Sequence, residues 1–274
     1  MNPLSDALVI PDWPAPSNVR AVVTTRQLPG NSLPPFDAFN LGLRSGESES
    51  TVQANRALLV RALALPSTPR WLRQVHGEQV VEFTDADAWS SPSPALRPPS
   101  PAGGEGKDEP AIPEPEADAA VTRTPGVVLV IQTADCLPIL FCADDGSEIA
   151  AAHAGWRGLS AGVIEGCVAR MRTAPPRIIA WLGPAIGPAS YEIGDEVRAA
   201  FVAADGSAAE AFTPTRTGHW LCDLYLLARR RLAVAGVERV CGGGFDTLAD
   251  RRFYSFRRDG NRSGRFASLI WIAN

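Results

Sequence analysis

Histidine and lysine are both scarce in this sequence. Histidine occurs three times in 274 residues, as His76, His153 and His219, and Lys107 is the only lysine among 26 basic residues. The preference for arginine accompanies abundant Ala, Pro and Gly and indicates a compositional bias. A single arginine therefore carries little functional weight by itself, whereas each histidine needs an explanation.

Several features that mark other protein classes are missing. The five cysteines, at positions 136, 142, 167, 222 and 241, form no CxxC pair, and no apolar run reaches the roughly 18 residues of a membrane span. The first residues show no basic stretch followed by an apolar one, so we expect no secretory signal. A formal net charge of −4 gives no general attraction for nucleic acid. We expect a cytoplasmic protein with reduced thiols.

The apolar pattern predicts a fold that contains both strands and helices. Hydrophobic residues make up 45% of the chain, enough for a sizeable core in one large domain or two smaller ones. Predicted strands are 20–25, 70–75, 127–132, 138–142, 148–152, 177–182 and 237–241, and predicted helices are 50–64, 158–172, 194–204 and 222–235. Ser50 or Thr51 is expected to cap the first helix, and Asp195 lies in the first turn of the third.

The spacing of these runs favours mixed sheets. The apolar runs between 127 and 152 follow one another too closely for crossover helices, which indicates antiparallel pairing. We therefore predict an α/β (α+β) layered sandwich with mixed β-sheets flanked by helices.

Residues 90–116 differ in composition from the rest of the chain. They contain eight prolines and almost no large apolar side chain, so they cannot form a packed element. Candidate site residues lie on both sides of this stretch. We therefore predict an insertion at about 88–117 within one domain of 1–274, not a linker between two domains, and we expect deletion of 92–113 to leave folding and activity nearly intact.

Two histidines and one cysteine each follow a predicted strand. His76 ends "WLRQVH", Cys136 ends "VVLVIQTADC" and His153 ends "EIAAAH". Imidazole and thiolate are preferred zinc ligands, and a catalytic zinc keeps three protein ligands and one open position. The spacing matches no short zinc signature, so packed or surface side chains remain the alternative. Ends of neighbouring strands can converge on one rim, which makes a shared metal site our hypothesis.

A fourth thiolate would close such a site. Cys142 is separated from Cys136 by roughly 20 Å of strand, too far to share one ion. Cys241 stays open as a fourth ligand, although an open site is favoured.

Five motifs resemble those of the laccase-domain family. They are "QVHG" at 74–77, "TADCLPIL" at 133–140, "AAHAGWRG" at 151–158, "LGPAIGPASYEIG" at 182–194, and "FYSFRRDG" at 253–260 with "SGRFASLIW" at 263–271. The family was first described as multicopper polyphenol oxidases and is now interpreted as purine nucleoside phosphorylases with adenosine deaminase side activity. Some bacterial members are described as peptidoglycan editing factors.

The resemblance implies specific site residues and a fold. Zinc would be bound by His76, Cys136 and His153, one ion per chain, in a single-domain α/β layered fold. The chain departs from the family pattern at four positions: Arg44 stands for a histidine, Glu47 for an aspartate, Asp246 for a cysteine and Ser263 for a threonine. The metal trio is intact.

Three histidines are too few for multicopper oxidation. A blue-copper site together with a trinuclear cluster would need about ten histidines. Copper bound adventitiously at a His/Cys site would give weak oxidation at most.

Phosphorolysis of a nucleoside needs an anion site and a grip on the sugar and base. Arg157, in a glycine-flanked turn before a helix, is the first candidate for phosphate. Further substrate-binding candidates are Arg26, Asn40, Arg258 and Arg265, each with a surface ion pair as the alternative. The expected partners are a purine nucleoside and phosphate, without nucleic acid or membrane.

Deamination of adenosine needs an activated water and a carboxylate that moves a proton. Glu78 follows His76 in an H-x-E pattern, but the matching P-C-x-x-C is absent. Asp135, beside Cys136, is an alternative proton shuttle or an orienting group.

Two other classes of function remain open. One is a hydrolase of a cell-wall precursor, with Cys136 as nucleophile and His153 as base. The other is a zinc-containing binding module without catalysis, which an open three-ligand site disfavours.

Overall fold

Three β-sheets and six α-helices build the part of the chain that the computed structural model describes, residues 7–84 and 114–274. The strands are β1 Leu8–Val9, β2 Val19–Thr24, β3 Val80–Phe83, β4 Ala119–Thr122, β5 Val128–Thr133, β6 Leu137–Ala143, β7 Ile149–Ala154, β8 Ile178–Leu182, β9 Glu192–Gly194, β10 Phe212–Pro214, β11 His219–Cys222, β12 Arg239–Gly242 and β13 Phe266–Ile272. The helices are α1 Glu49–Ala62, α2 Trp156–Ala161, α3 Val163–Arg170, α4 Asp195–Val202, α5 Leu224–Val234 and α6 Phe256–Asp259.

Two of the sheets face each other. One has six strands in the order β12-β8-β6-β7-β4-β3, parallel at its two outer pairs and antiparallel between them. The other has four antiparallel strands in the order β1-β2-β13-β5. Leu129 and Ile270 of the smaller sheet share one buried apolar cluster with Leu140 and Ile149 of the larger. This inner layer is the centre of the core.

Helices cover the outer faces of both sheets. Cys167 of α3 and Leu227 of α5 pack with Phe141 in the cluster on the outer face of the six-stranded sheet. Leu59 of α1 packs with Leu269 on the outer face of the four-stranded sheet. The order of layers is helix, sheet, sheet, helix, and the predicted fold class is confirmed. A small third sheet, β10-β11-β9, lies beside α4.

Most predicted strands have a counterpart within two residues, and one prediction is wrong. Residues 70–75 form no strand, because Arg70 and Arg73 make only isolated bridges, to Leu129 and Glu116. The strands that were not predicted are β1, β3, β4, β9, β10, β11 and β13. All of them except β13 have four residues or fewer, too few to show a period. β13 is buried on both faces and does not alternate.

The predicted helix 158–172 is two helices. Gly162 has a φ of 111° and ends α2 before α3 begins, because this left-handed conformation interrupts helical geometry. The predicted caps of the first helix are also wrong: Ser48, and neither Ser50 nor Thr51, accepts the N–H of Thr51. Asp195 lies in the first turn of α4 as predicted.

The end of the predicted insertion belongs to the packed structure. Glu114 pairs with the buried Arg56 at 2.8 Å, and Ala117 is a core residue, so the boundary near 117 lies too late. Residues 85–113 fall outside the described residues. The strands on either side of them, β3 and β4, pair in parallel.

In the described part of the chain, every helix is too short or too polar to cross a bilayer.

Candidate metal and active site

The three predicted metal ligands lie together. One ligand atom from each of His76, Cys136 and His153 is within 4.8 Å of the other two, and the two imidazole rings meet edge to face at 4.7 Å. His76 is exposed, Cys136 is half-buried and His153 is buried. Within 7–84 and 114–274 this is the only group of three or more His, Cys, Asp or Glu side chains with such spacing.

Two of the ligands come from neighbouring strands. Cys136 lies in the turn between β5 and β6, and His153 is the second-last residue of β7, paired with Pro138 of β6. His76 lies in the loop before β3 instead of at the end of a strand. The predicted rim is therefore confirmed for two ligands, and a loop brings the third.

A buried aspartate, Asp118, holds two of the ligands. One carboxylate oxygen accepts the backbone N–H of His76 at 2.9 Å and lies 2.7 Å from Nδ1 of His153. The other oxygen accepts the backbone N–H groups of Val75 and Gly77. His76 has a φ of 63°, a conformation that needs such support. With Nδ1 bound to Asp118, Nε2 of His153 is the ligand atom.

Asp118 was not singled out from the sequence. Its only signal is a lone acid directly before the buried alanines of β4.

A second aspartate, Asp135, holds the turn that carries Cys136. Its carboxylate accepts the hydroxyls of Thr247 at 2.6 Å and Ser255 at 3.1 Å, and the backbone N–H of Arg257 at 2.6 Å. Because both oxygens are engaged, these contacts favour the orienting role over proton transfer.

Electrostatics couple the thiol and the buried imidazole. Burial raises the pKa of the Cys136 thiol, but the charges and hydrogen bonds of His153 and His76 outweigh burial and lower it to about 6. Burial lowers the pKa of His153, while the charge of Cys136 and the hydrogen bond with Asp118 raise it to about 9. These shifts favour a thiolate beside an imidazolium when no metal is bound, and a bound cation would take the place of that proton.

These residues fit a zinc ion. Tetrahedral zinc keeps its nitrogen and sulfur ligands roughly 3.5 Å apart, which the observed group reaches with a small closure. The donor set has two imidazoles and one thiolate, and a carboxylate orients one imidazole. Cys241, left open as a fourth ligand, lies on β12 opposite Trp181 and outside the group. Zinc bound here would supply a Lewis acid at the position left open.

The first turn of α2 packs directly on the ligands. A Cβ on Gly155 would lie 2.9 Å from Sγ of Cys136 and 3.2 Å from Cδ2 of His76. A Cβ on Gly158 would lie 2.7 Å from the carbonyl oxygen of Gly77. Both contacts are too close for any side chain, which explains the two glycines of "GWRG".

Arg157 lies on this same turn. It is exposed, its guanidinium stands 4.4 Å from the centre of the Trp156 ring, and it makes no ion pair with the residues that the structure describes. A cavity of about 340 Å³ adjoins it, lined among others by Tyr191, Arg216 and Arg257 and by the carboxylates of Glu192 and Glu196. Arg157 is therefore free to meet an anion.

Arg265 approaches the ligands from the segment before β13. Its guanidinium donates to the carbonyls of Ser263 and Gly264 and has no carboxylate partner among the described residues. Burial lowers the pKa of Arg265, and the negative charges of Cys136 and Asp135 oppose that effect. This half-buried cation lies within electrostatic reach of the thiolate.

Asn40 positions Arg265. The amide oxygen of Asn40 accepts the backbone N–H of Arg265 at 2.8 Å. Its amide hydrogens go to Ser45 at 2.7 Å and Glu47 at 2.8 Å. This buried side chain donates both amide hydrogens within the protein, and its contact with substrate stays a prediction.

Arg258 and Arg26 are also engaged within the protein. All five N–H groups of Arg258 are directed at Asp259 or at the carbonyls of 247, 248 and 253. Arg26 binds Asp37 and the carbonyl of Pro35 and stacks on Tyr254. These contacts indicate structural roles for both arginines, and contact with substrate stays a prediction for each.

Three other residues near the motifs are Glu78, Arg44 and Thr247. Glu78 is exposed, and its carboxylate lies 3.8 Å from the Cβ position of Gly162, at the opposite end of α2 from Gly155. Arg44 is exposed and pairs with Glu114. Thr247 binds Asp135, as described above.

The comparisons with known proteins give the family. A model of the family described as multi-copper polyphenol oxidoreductase laccase matches residues 20–273. The chain belongs to this family. The purine nucleoside phosphorylase of Xylella fastidiosa (strain Temecula1) is 50% identical over 97% of this chain and 96% of its own length. The purine nucleoside phosphorylase YfiH of Escherichia coli K12 is 45% identical over 97% of this chain and 98% of its own.

A solved structure confirms the fold. The crystal structure of a Neisseria meningitidis protein superposes with a TM-score of 0.84 at 40% identity, and the match covers 98% of this chain and all of that one. The resemblance drawn from the motifs is confirmed.

Proposed function

We propose that the protein is a purine nucleoside phosphorylase that holds zinc with His76, Cys136 and His153. The carrying observation is an open three-ligand site in a chain whose relatives with this name align over nearly their full length. The substrates are a purine nucleoside and phosphate, and the products are the purine and ribose 1-phosphate.

The reaction requires cationic groups beside the ligands. A phosphate oxygen forms a bond to C1′ of the ribose while the bond from C1′ to the purine nitrogen breaks, and the purine leaves with the electron pair and gains a proton. Arg157 and Arg265 come from two different segments next to the ligands. Neither is neutralised by an ion pair within the described residues. Guanidinium groups of this kind bind phosphate in a forked geometry.

The test is the fate of the pentose. Purified protein is incubated with adenosine, inosine or methylthioadenosine, with and without phosphate, and the products are identified. We expect ribose 1-phosphate at a rate that depends on phosphate concentration, and a Cys136→Ala control that loses both zinc and turnover. Free ribose at a rate indifferent to phosphate would identify a nucleoside hydrolase instead.

The same assay measures deamination separately, as inosine formed from adenosine without phosphate. This activity rests on the resemblance, because Asp135 is fully engaged and Glu78 lies away from the ligands.

A metal-independent hydrolase is the second candidate. It is favoured by one observation, the Cys136 thiol with a pKa of about 6 beside a histidine that Asp118 orients, an arrangement that suits nucleophilic catalysis. A chelator separates the two candidates. The phosphorylase would lose turnover with its zinc, whereas a thiolate hydrolase would keep its activity on peptidoglycan fragments.

A further inference from the structure

An exposed aromatic ring stands beside the candidate site. Phe256 is the first residue of α6, and 46% of it is accessible to solvent. In the described part of the chain, no other aromatic residue is among the large exposed apolar side chains.

The backbone around this ring is held firmly. The Ser255 hydroxyl and the Arg257 N–H, on either side of Phe256, both donate to the carboxylate of Asp135. Asp135 in turn precedes the ligand Cys136. The ring therefore projects from a segment that is fixed to the same turn as the thiolate.

Arg265 is the neighbour of this ring. Its guanidinium carbon lies 5.9 Å from the centre of the Phe256 ring. A Cβ on Gly42 would lie 2.6 Å from Cγ of Arg265, so the stem of the arginine is packed in place. Val75, next to the ligand His76, is also exposed, at 42%. Apolar side chains are thus exposed next to His76 in the chain and on the segment that Asp135 holds, and in the second place a cation stands beside the ring.

We infer that Phe256 is the stacking surface for the base of the nucleoside, with Arg265 beside it for the phosphate or ribose phosphate end. The inference rests on the proposed function and adds the residue that recognises the base. A flat aromatic ring gains from covering the face of a purine, and such stacking is sequence-tolerant because every base has an aromatic face.

The test separates the base from the sugar phosphate. Binding of adenosine and of ribose 1-phosphate is measured by calorimetry for the wild-type protein and for Phe256→Ala, Phe256→Tyr and Arg265→Ala. We expect Phe256→Ala to lower the affinity for adenosine about tenfold, as loss of one stacked base does. The affinity for ribose 1-phosphate should stay unchanged. Phe256→Tyr should restore adenosine binding. Arg265→Ala should lower the affinity for ribose 1-phosphate.

Val234→Ala is the matched control, because Val234 is 78% exposed on α5. This variant should bind both ligands with wild-type affinity. Thermal stability and zinc content of Phe256→Ala should equal those of the wild type. Equal adenosine affinity in Phe256→Ala and wild type, or no adenosine binding by either, would overturn the inference. Failure of the proposed function has a different signature, which is adenosine binding without phosphate-dependent turnover.

Discussion

At the scale of single residues, Asp118 sets the positions of two ligands with one carboxylate. Asn at this position keeps one acceptor oxygen and replaces the other with a donor, so either the 75–77 backbone or Nδ1 of His153 loses its partner. We expect Asp118→Asn to lower zinc affinity about 10- to 100-fold. Competition with a chromophoric chelator measures this change.

The matched control for that variant is Glu148→Gln. Glu148 is also a buried carboxylate that accepts backbone N–H groups, but it precedes β7 at the end opposite His153. Its variant should lose stability and keep its zinc affinity. If Asp118→Asn binds zinc as tightly as the wild type, the ligands are positioned without this carboxylate.

Arg157 is the residue through which phosphate binding can be tested most directly. We expect Arg157→Ala to reduce kcat/KM roughly 100-fold, a loss of about 3 kcal/mol of transition-state stabilisation such as removal of a preorganised electrostatic group causes, with unchanged zinc content. Arg157→Lys should recover only part of the loss, because an ammonium cannot form the two-pronged contact. Steady-state kinetics with varied phosphate measure both variants, and unchanged phosphate dependence in Arg157→Ala would contradict the role.

At the scale of elements, Glu148 fixes the connection between α3 and β8 to the start of β7. Burial raises the pKa of Glu148, but the N–H of Arg172, the groups of Thr173 and the Arg123 guanidinium lower it below its usual value of 4.5. Its stabilising contribution is therefore present above pH 4.5 and is lost as the pH falls through the lowered pKa.

We expect Glu148→Gln to reduce the free energy of unfolding at pH 7 by about 2 kcal/mol. The difference from the wild type should shrink as the pH falls from 4.5 through the lowered pKa, because Glu148 takes up a proton in the unfolded chain before it does so in the folded protein. Urea unfolding at several pH values measures this, and a constant difference across the range would show that the charge of Glu148 is unimportant.

The elements also show which features a sequence can predict. β5 and β7 are long, buried and apolar, so their positions, and those of Cys136 and His153, follow from the pattern. The loop of His76 takes its shape from Asp118, 42 residues away, and no local period reports such a contact. Likewise, the letters of "FRRDG" do not show that the donors of Arg258 are taken up by backbone carbonyls.

At the scale of the whole molecule, the parallel pairing of β3 and β4 limits how far residues 85–113 can be shortened. From Thr84 back to Glu114 the extended path beside β4 is about 30 Å. Deletion of 92–113 leaves seven residues between Thr84 and Glu114, and the eight Cα–Cα steps that then join these two residues span at most about 28 Å. We therefore expect deletion of 92–113 to strain this connection, in place of the expectation that it leaves folding nearly intact.

We expect a variant with about ten Gly and Ser residues in place of 92–113 to match the wild type in thermal stability and turnover, because such a linker easily spans the gap. The plain deletion should be less stable. Thermal unfolding and the phosphorolysis assay compare the two. Normal stability with lost turnover in the linker variant would assign the native segment a role in the reaction.

The position of β13 affects how the chain folds during synthesis. β13 lies between β2 and β5, which are not paired with each other, and it pairs with β2 across more than 240 residues of sequence. During synthesis, one edge of β2 and one edge of β5 stay unpaired until β13 has been made. Unpaired strand edges can pair with other chains. A chain truncated after residue 260 would have two such unpaired edges. We therefore expect incomplete chains of this protein to aggregate more readily than the complete chain.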